Sequence, residues 1–433
     1  MGLPRIRPDE VRTLRREPVD PETLAAAAKI VEGVRSGGEA ALRRYAERFG
    51  DRRPGDPLVL GPEELAAARD RLPAGNRALL ERTAERIAAF ARAQRGALAE
   101  TTVAVPGGRA GQQVVPVERA GCYAPGGRFP LPSSVLMTAV TARAAGVGEV
   151  WMASPRPGDL TLAAAAVAGA DAVLAAGGAH AVAALAHGAG PVPACDVVVG
   201  PGNRWVTAAK KLVAGRVGID LLAGPSELVV LADASADPAV VAADLLAQAE
   251  HDADALPVLV ALDEGLADAV DRELERQLAD LPTDATARAA LANGFAVVCA
   301  DLEAAAAACN AIAPEHLQLV VADPDAAARR LRHWGALFIG EASAEVLGDY
   351  GAGPNHTLPT GGGARFTGGL SVLSFLRVRT WLSLEPGGEQ RRLVRDAAAL
   401  ARLEGLEAHA RAAERRLGVA GWRDRGRKAG PLQ

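Results

Sequence analysis

The chain has 433 residues, of which 49% are hydrophobic and 23% charged, and its formal net charge is −4. This length allows two or three compact domains that bury their own cores, so stability does not demand disulfides or a metal. No apolar stretch approaches the roughly 20 residues that span a bilayer. Dispersed basic residues and an aromatic content of 3% also argue against nucleic-acid binding. We therefore expect neither a membrane nor a nucleic acid among its partners.

The N-terminal segment and the cysteines indicate the compartment. The segment lacks the apolar core of a secretory signal, and the acidic Asp9 and Glu10 argue against a transit peptide. The cysteines lie far apart without a CxxC pair, so a disulfide framework and cysteine-ligated zinc are both disfavoured. We expect a cytoplasmic protein with buried thiols at Cys122, Cys195, Cys299 and Cys309.

Helices are predicted from about residue 19 to 95. Asp20 can cap the first helix, and Pro21 fits its first turn. The predicted helices are Leu24–Arg35, Ala40–Phe49, Glu63–Arg71 and Arg77–Gln94. After them, β-branched runs between Thr101 and Val117 flank Pro106-Gly107-Gly108, which predicts a hairpin.

Short apolar runs then alternate with helical stretches, which predicts βαβ units and parallel sheets. The first series has strands near Glu149–Ala153, Ala172–Ala175 and Asp196–Val199, and helices near Ser133–Ala145, Leu160–Ala168, Ala179–Ala186 and Arg204–Val213. The second has strands near Leu228–Ala232, Pro257–Leu262, Phe295–Cys299, Leu317–Val321 and Ala336–Ile339. The predicted class is α/β, with two Rossmann-like parallel-sheet domains, a helical N-terminal region and a helical C-terminal tail at Gln390–Arg415. Ligands of such sheets bind beyond the carboxyl ends of the strands, so we expect the chemistry in the loops that follow them.

A possible metal site combines residues from three parts of the chain. Gln248 and His251 lie three apart on a helix predicted to begin at Asp237-Pro238, so their side chains share a face. Asp349 adds an oxygen from the glycine-dense loop of residues 348–369, and His409 adds a nitrogen from the tail. Zinc accepts such mixed donors. An exposed polar helix end is the alternative interpretation of the first two residues.

A second motif, Ala313-Pro314-Glu315-His316-Leu317, places an acid beside an imidazole directly before a predicted strand. Successive side chains of extended backbone point to opposite sides, so the pair could act on a substrate from two directions. A charged turn that leads into a strand explains the motif equally well. Glu404 and His409 would lie about 140° apart on a regular helix. Either the helix ends between them or each has a different partner.

A cofactor loop is indicated by Gly200-Pro201-Gly202-Asn203, which follows a predicted strand and precedes a helix. A nucleotide phosphate can meet backbone amides at such a position. Trp205 breaks the three-glycine fingerprint, however, so the motif alone is equally a tight turn. The same holds for Gly126-Gly127 and Gly177-Gly178.

Together these motifs resemble the histidinol dehydrogenase family over roughly residues 19 to 415. The resemblance is carried by Tyr123-Ala124-Pro125-Gly126-Gly127, Pro132-Ser133-Ser134-Val135-Leu136-Met137, Gly200-Pro201-Gly202-Asn203, Ala223-Gly224-Pro225-Ser226-Glu227, Gln248-Ala249-Glu250-His251, Ala313-Pro314-Glu315-His316-Leu317, Gly348-Asp349-Tyr350, Pro354-Asn355-His356 and Glu404-Gly405-Leu406-Glu407-Ala408-His409.

The resemblance implies a homodimer with shared active sites that oxidises L-histidinol through L-histidinal to L-histidine, the last steps of histidine biosynthesis, with two NAD reduced. It implies one zinc ion per subunit, held by Gln248, His251, Asp349 and His409, with Glu315 and His316 as the catalytic pair. Substrate contacts would come from the zinc ligands and from Ser226, His316, Tyr350, His356 and Glu404. NAD contacts would come from Tyr123, His180 and Asn203.

His180 departs from the family pattern, which usually has glutamine at this position of Gly177-Gly178-Ala179-His180-Ala181. An imidazole can still donate one hydrogen bond, so we expect NAD binding to persist with altered affinity. The implied domains are a helical region and hairpin at 1–116 that packs with the second α/β domain, the NAD-side domain at 117–225, the zinc and catalytic domain at 226–369, and a dimerisation tail at 370–433.

Three other functions remain open from the sequence. A paralogue with the same zinc site would oxidise another small alcohol with NAD, but His356 and Glu404 would then lose the imidazole or ammonium that pairs them. A zinc hydrolase would use Glu315 to activate water without any nicotinamide. A metal-stabilised scaffold would turn over no substrate and unfold on chelation.

Overall fold

The computed structural model describes residues 2–13, 17–126 and 130–418. The strands in these ranges are β1 Arg5–Ile6, β2 Val59–Leu60, β3 Thr101–Val105, β4 Gly108–Pro116, β5 Arg119–Tyr123, β6 Glu149–Ala153, β7 Ala172–Leu174, β8 Val197–Val199, β9 Gly218–Ile219, β10 Glu227–Ala232, β11 Leu256–Ala261, β12 Phe295–Val298, β13 His316–Val320, β14 Ala336–Ile339 and β15 Leu376–Leu384.

The α-helices are α1 Pro21–Arg48, α2 Pro62–Arg71, α3 Ala74–Gly96, α4 Pro132–Ala145, α5 Asp159–Val167, α6 Gly178–His187, α7 Arg204–Val213, α8 Pro238–Ala249, α9 Glu264–Leu278, α10 Asp284–Asn293, α11 Leu302–Ile312, α12 Pro324–Ala328, α13 Glu345–Asp349, α14 Gly388–Leu403 and α15 Glu407–Glu414. None of the described helices is long and apolar enough to cross a membrane. The chain divides into two compact units: unit 1 is Met1–Arg95 with Val117–Phe375, and unit 2 is Gly96–Pro116 with Leu376–Gln433.

Sheet 1 of unit 1 has the strand order β2-β7-β6-β5-β8-β9, and its pairs are parallel except for β2 with β7. The chain proceeds from β5 to β6 and β7 on one side and then returns to place β8 on the other. The strand order therefore reverses between β5 and β8, where doubly wound sheets bind nucleotides beyond the carboxyl ends. Tyr123 ends β5, and Asn203 follows β8 at the start of α7.

Sheet 2 of unit 1 has the order β1-β12-β11-β10-β13-β14, with all pairs parallel. Its inner strands β10, β11 and β13 are buried along their whole length. Such strands must be apolar on both faces, which is why the sequence shows continuous runs of valine and leucine there. The predicted α/β class with two parallel sheets is confirmed.

The N-terminal helices differ slightly from the prediction. Two helices were predicted within α1, but the structure has one element with a kink at Gly38, where φ is 53° and ψ is −140°. A left-handed φ of this kind favours glycine, which explains why the chain can turn there. The predicted cap is present, since the carboxylate of Asp20 accepts a hydrogen bond from the Thr23 amide at 2.8 Å.

Unit 2 contains an antiparallel sheet in the order β15-β4-β3, together with α14 and α15, which pack on each other. The predicted hairpin is present as β3 and β4, and Gly107 in its turn has a φ of 81°. The sequence did not indicate β15, which pairs with β4 along its full length. The predicted helical tail is divided into two helices. Glu404 caps the end of α14, which ends at Leu403, whereas His409 lies in α15.

All four cysteines lie within the described residues and are buried free thiols, as predicted. Burial raises the pKa of Cys195 to about 12 and raises the pKa values of Cys122, Cys299 and Cys309 as well.

Candidate active site

The candidate catalytic pair, Glu315 and His316, lies where β13 begins. Leu228 of β10 is opposite His316 in the parallel ladder, so the start of β10 is beside the pair. Helix α8 leaves the far end of β10 and returns toward the start of β11, which brings its last residues to the same edge. The site is therefore at the amino ends of the sheet 2 strands. Our expectation that chemistry follows the carboxyl ends was wrong for this sheet.

Glu315 is buried and held in place by two donors. Its Oε2 accepts a hydrogen bond from the Ser226 hydroxyl at 2.6 Å and another from the Glu227 amide at 2.9 Å. Burial raises the pKa of this carboxyl above its usual value. A carboxylate that is poorly solvated and more basic than usual is suited to accepting a proton from water.

The imidazole of His316 is buried among three acids. Its Nδ1–H donates to the Glu227 carbonyl at 3.1 Å, and Nε2 lies 3.5 Å from Asp349 Oδ1. Burial alone would lower the pKa of His316, but the carboxylates of Glu315, Asp349 and Glu345 outweigh it and raise the pKa to about 10. Nε2 has no hydrogen-bond partner among the described residues. It is therefore the ring atom left to exchange a proton with a ligand.

Possible metal ligands cluster beside this imidazole. Within the described ranges, His251, Glu345 and Asp349 have ligand atoms that all lie within 4.8 Å of one another. Nε2 of His251 is 3.9 Å from Asp349 Oδ2. Burial opposes ionisation of Asp349, but its contact with His316 more than compensates, and the pKa of Asp349 is lowered. The cluster thus offers an ionised carboxylate and an imidazole to a cation.

Gln248 is fully buried, and neither its amide oxygen nor its amide nitrogen has a hydrogen-bond partner among the described residues. An unsatisfied buried polar group costs about 1–3 kcal/mol, so a side chain with two of them requires an explanation. Helix α8, which carries Gln248, packs against α13, which carries Asp349. An amide oxygen is a suitable ligand for zinc or another divalent cation, so a bound metal would remove one of these penalties.

The helix prediction for this segment was partly wrong, since α8 ends at Ala249 and His251 lies in the following turn. The His251 amide nevertheless donates to the Gln248 carbonyl at 3.3 Å, which keeps the two residues together. Asp349 was expected in a loop but is the last residue of α13.

Glu345 was missed by the sequence analysis. It is buried, burial raises its pKa to about 8, and its Oε2 has no hydrogen-bond partner in the part of the chain described. Its amide donates to Gln318 Oε1 at 3.4 Å, and the Gln318 amide group donates to Asp244 at 2.7 Å. Nothing in the sequence around Glu345 distinguishes it from a solvated helix start. Only the packing of α13 against α8 shows that it faces the site.

His316, Asp349 and His356 line a cavity of about 600 Å³, whereas Ser226 and Tyr350 are not among its lining residues. The Nδ1–H of His356 donates a hydrogen bond to the Asp349 carbonyl at 3.0 Å. Burial lowers the pKa of His356, which favours a neutral ring. Tyr350 caps the end of α13 and is exposed. Glu404 and His409 are exposed residues of unit 2.

A second cavity of about 460 Å³ lies at the carboxyl edge of sheet 1, and Tyr123, His180 and Asn203 all line it. The Tyr123 oxygen accepts a hydrogen bond from the Gly178 amide at 3.0 Å, and burial raises the pKa of this phenol to about 12. The Asn203 side chain caps α7 by accepting from the amides of Trp205 and Val206 at 3.1 and 3.3 Å.

His180 is buried and already has a partner. Its Nε2 is hydrogen-bonded to Asp51 Oδ2 at 3.0 Å, and the same oxygen accepts from the Gly177 amide at 2.9 Å. Asp51 was not a candidate from the sequence. Because it occupies Nε2, only Nδ1 of the imidazole can contact a ligand in this arrangement.

A model of the histidinol dehydrogenase family matches residues 14–417 of the chain. The chain belongs to the histidinol dehydrogenase family. A histidinol dehydrogenase from Thermus thermophilus is 48% identical over 402 residues, covering 92% of this chain and 95% of that protein. One from Aromatoleum aromaticum is 46% identical over 400 residues, covering 91% of each.

The three-dimensional structure of the chain also resembles that of a solved member of the family. The crystal structure of histidinol dehydrogenase from Elizabethkingia anophelis superposes with a TM-score of 0.89 at 30% identity, over 96% of this chain and 98% of that one. The chain therefore has the histidinol dehydrogenase fold, and the resemblance inferred from its motifs is confirmed.

Proposed function

We propose that this protein oxidises L-histidinol through L-histidinal to L-histidine, with two NAD as hydride acceptors and zinc as the metal. Family membership supports the reaction. The observation that carries the site is the buried amide of Gln248, which has no hydrogen-bond partner among the residues that the structure describes. Its helix α8 packs against α13, which carries Asp349. His251 and Asp349 already approach each other as ligands do, and the catalytic pair is in contact with Asp349 through His316.

The donors fit zinc, which binds imidazole nitrogen and carboxylate or amide oxygen. We assign Gln248, His251, Asp349 and His409 as its ligands, the last from the tail of a partner subunit. When bound, zinc would orient the nitrogen atoms of the substrate and supply positive charge that offsets the carboxylates around His316. With that offset, the pKa of His316 would fall from its raised value toward neutrality. Ser226, Tyr350, His356 and Glu404 would complete the substrate contacts.

In the first oxidation, His316 takes the proton of the substrate hydroxyl, and bound NAD would accept the hydride that leaves the carbon. The proton goes to Nε2, because Nδ1–H is committed to the Glu227 carbonyl. The same hydrogen bond fixes the ring, so the imidazole does not have to reorient during the step.

In the second oxidation, water adds to the aldehyde, and a second NAD would accept the hydride of the resulting hydrate. Glu315 accepts the proton of the attacking water. Its Oε2 receives two hydrogen bonds, from Ser226 and Glu227, so this oxygen is fixed and the other is available. Tyr123, His180 and Asn203 would hold NAD, which accepts the hydride in each step.

The direct test counts NADH formed per histidinol consumed, measured by absorbance and by product analysis. We expect two NADH and one histidine for each histidinol. A ratio of one would mean that the aldehyde leaves and that the second half of the proposal is wrong. No NADH at all would favour the zinc hydrolase, and reaction with another alcohol but not histidinol would favour the paralogue.

We also propose that the protein is a homodimer whose tail completes the site of the other subunit. Glu404 and His409 are exposed at the helix break of unit 2, where they are accessible to a partner. If inactive His251→Ala subunits exchange with inactive His409→Ala subunits, each mixed dimer should contain one site with both histidines intact. Activity should then return, to at most about half that of the wild-type dimer.

Mass spectrometry of differently tagged subunits would verify the exchange, and each variant exchanged with itself serves as the control. Mixed dimers that form and remain inactive would show that the tail acts within its own subunit or not at all.

A further inference from the structure

A buried ion pair lies directly behind the cofactor loop Gly200–Asn203. Lys210 of α7 is 2% exposed, and its ammonium group donates to the Gly200 carbonyl at 3.0 Å and contacts the carboxylate of Asp220. Lysine is almost never so buried unless it is paired. The cofactor and substrate chemistry proposed above uses neither residue.

Asp220 binds the other polar group of the same glycine. Its Oδ2 accepts a hydrogen bond from the Gly200 amide at 2.7 Å, and its Oδ1 accepts from the Leu221 amide at 2.7 Å. The two charged side chains thus hold both backbone polar groups of Gly200. Bonds of this kind, with one charged partner, are roughly twice as strong as neutral ones.

Gly200 is also pressed against the strand that carries Tyr123. Its φ is 118°, and an added Cβ would lie 2.1 Å from the Tyr123 carbonyl oxygen. Only glycine fits at this position, because any side chain would collide with the backbone of β5. Glycine adopts such a φ without steric cost, so the groups that bind Gly200 determine where this flexible residue is held.

We propose that Lys210 and Asp220 are positioning residues for NAD: they fix the loop that presents Asn203 to the cofactor cavity. This inference rests on the proposed function, because it takes the cavity at the edge of sheet 1 as the NAD site. Neither Lys210 nor Asp220 is among the residues that line this cavity. Its effect passes through Gly200, which lies three residues before Asn203 and is bonded to both charges.

The test compares Lys210→Met with Lys211→Met, its exposed neighbour on the same helix. For each, NAD affinity is measured by calorimetry, and KM values for NAD and histidinol, kcat, zinc content and melting temperature are determined. We expect Lys210→Met to weaken NAD binding about tenfold or more, with the KM for histidinol and the zinc content unchanged. Lys211→Met should resemble the wild type in every measurement.

Removing one member of a buried pair leaves an uncompensated charge, so Lys210→Met also lowers the melting temperature. The double variant Lys210→Met with Asp220→Leu removes both charges and should recover stability. If the pair positions the loop, NAD affinity stays low in the stable double variant. If the role is only structural, NAD affinity recovers together with the melting temperature, and the proposal is overturned.

An unchanged NAD affinity in a folded Lys210→Met protein would overturn it as well. Should Lys210→Met fail to fold, the double variant alone decides between the two outcomes. Failure of the proposed function has a different signature, because the wild-type protein would then not bind NAD or not reduce it with histidinol.

Discussion

Replacement of Glu315 by glutamine should slow the oxidation of L-histidinal by about 10²–10⁴-fold, the usual contribution of a general base. The oxidation of L-histidinol to the aldehyde should change far less, because that step requires no added water. Glutamine keeps an oxygen that can accept the hydrogen bonds from Ser226 and Glu227, so the local geometry should persist. The amide cannot take a proton from water.

Single-turnover measurements that start from histidinol and from histidinal separate the two steps. Asp244→Asn is a suitable control, because Asp244 is a buried carboxyl hydrogen-bonded to Gln318 and has no assigned role in either step. It should leave the ratio of the two rates unchanged. Equal losses in both half-reactions of Glu315→Gln would contradict the division of labour between Glu315 and His316.

Asp349→Asn should lower zinc affinity and activity together. Residues that only hydrogen-bond to metal ligands contribute about 10–100-fold to metal affinity. Loss of a direct ligand should therefore weaken zinc binding by more than about 100-fold. The change also removes the carboxylate 3.5 Å from His316 Nε2, which helps to raise the pKa of that imidazole. The fold should remain, because the cores of unit 1 do not depend on this side chain.

Zinc content by atomic absorption, chelator competition and thermal unfolding measure the three quantities separately. The control is Asp252→Asn, because the exposed Asp252 is next to His251 and is not an assigned ligand. Like Asp349→Asn, it replaces one carboxylate near the site by an amide. It should keep both zinc and activity. An inactive Asp349→Asn protein that retains full zinc occupancy would remove Asp349 from the set of ligands.

The fold class could be predicted because the central strands of both sheets are short apolar runs separated by helical stretches. The elements that escaped prediction include short or extended segments whose form depends on a distant partner. β1 is a two-residue strand paired with β12, and β15 is an extended segment recruited by β4. Periodicity also says nothing about strand order, so it could not reveal which edge of sheet 2 carries the site.

The candidate site was predicted from local motifs, and its missing members are residues without one. Glu345, Asp51 and Lys210 are ordinary helix or loop residues in the sequence, and what distinguishes them is burial beside groups to which no local motif connects them. Conversely, His180 was considered only as a cofactor contact, whereas Asp51 already occupies one of its ring nitrogens. Such pairings depend on the tertiary structure, so the spacing of residues in the sequence cannot predict them.

The burial of the four thiols determines how an aldehyde can be oxidised here. A dehydrogenase can bind its aldehyde covalently through a cysteine, and the acid is then released by hydrolysis of a thioester. In this protein every cysteine is enclosed in packed structure with a raised pKa, so none can supply the thiolate for that route. A thioester between the substrate and one of these cysteines is therefore not expected. We also expect alkylating agents to find no reactive sulfhydryl on the folded enzyme, because buried thiols with raised pKa values are inert.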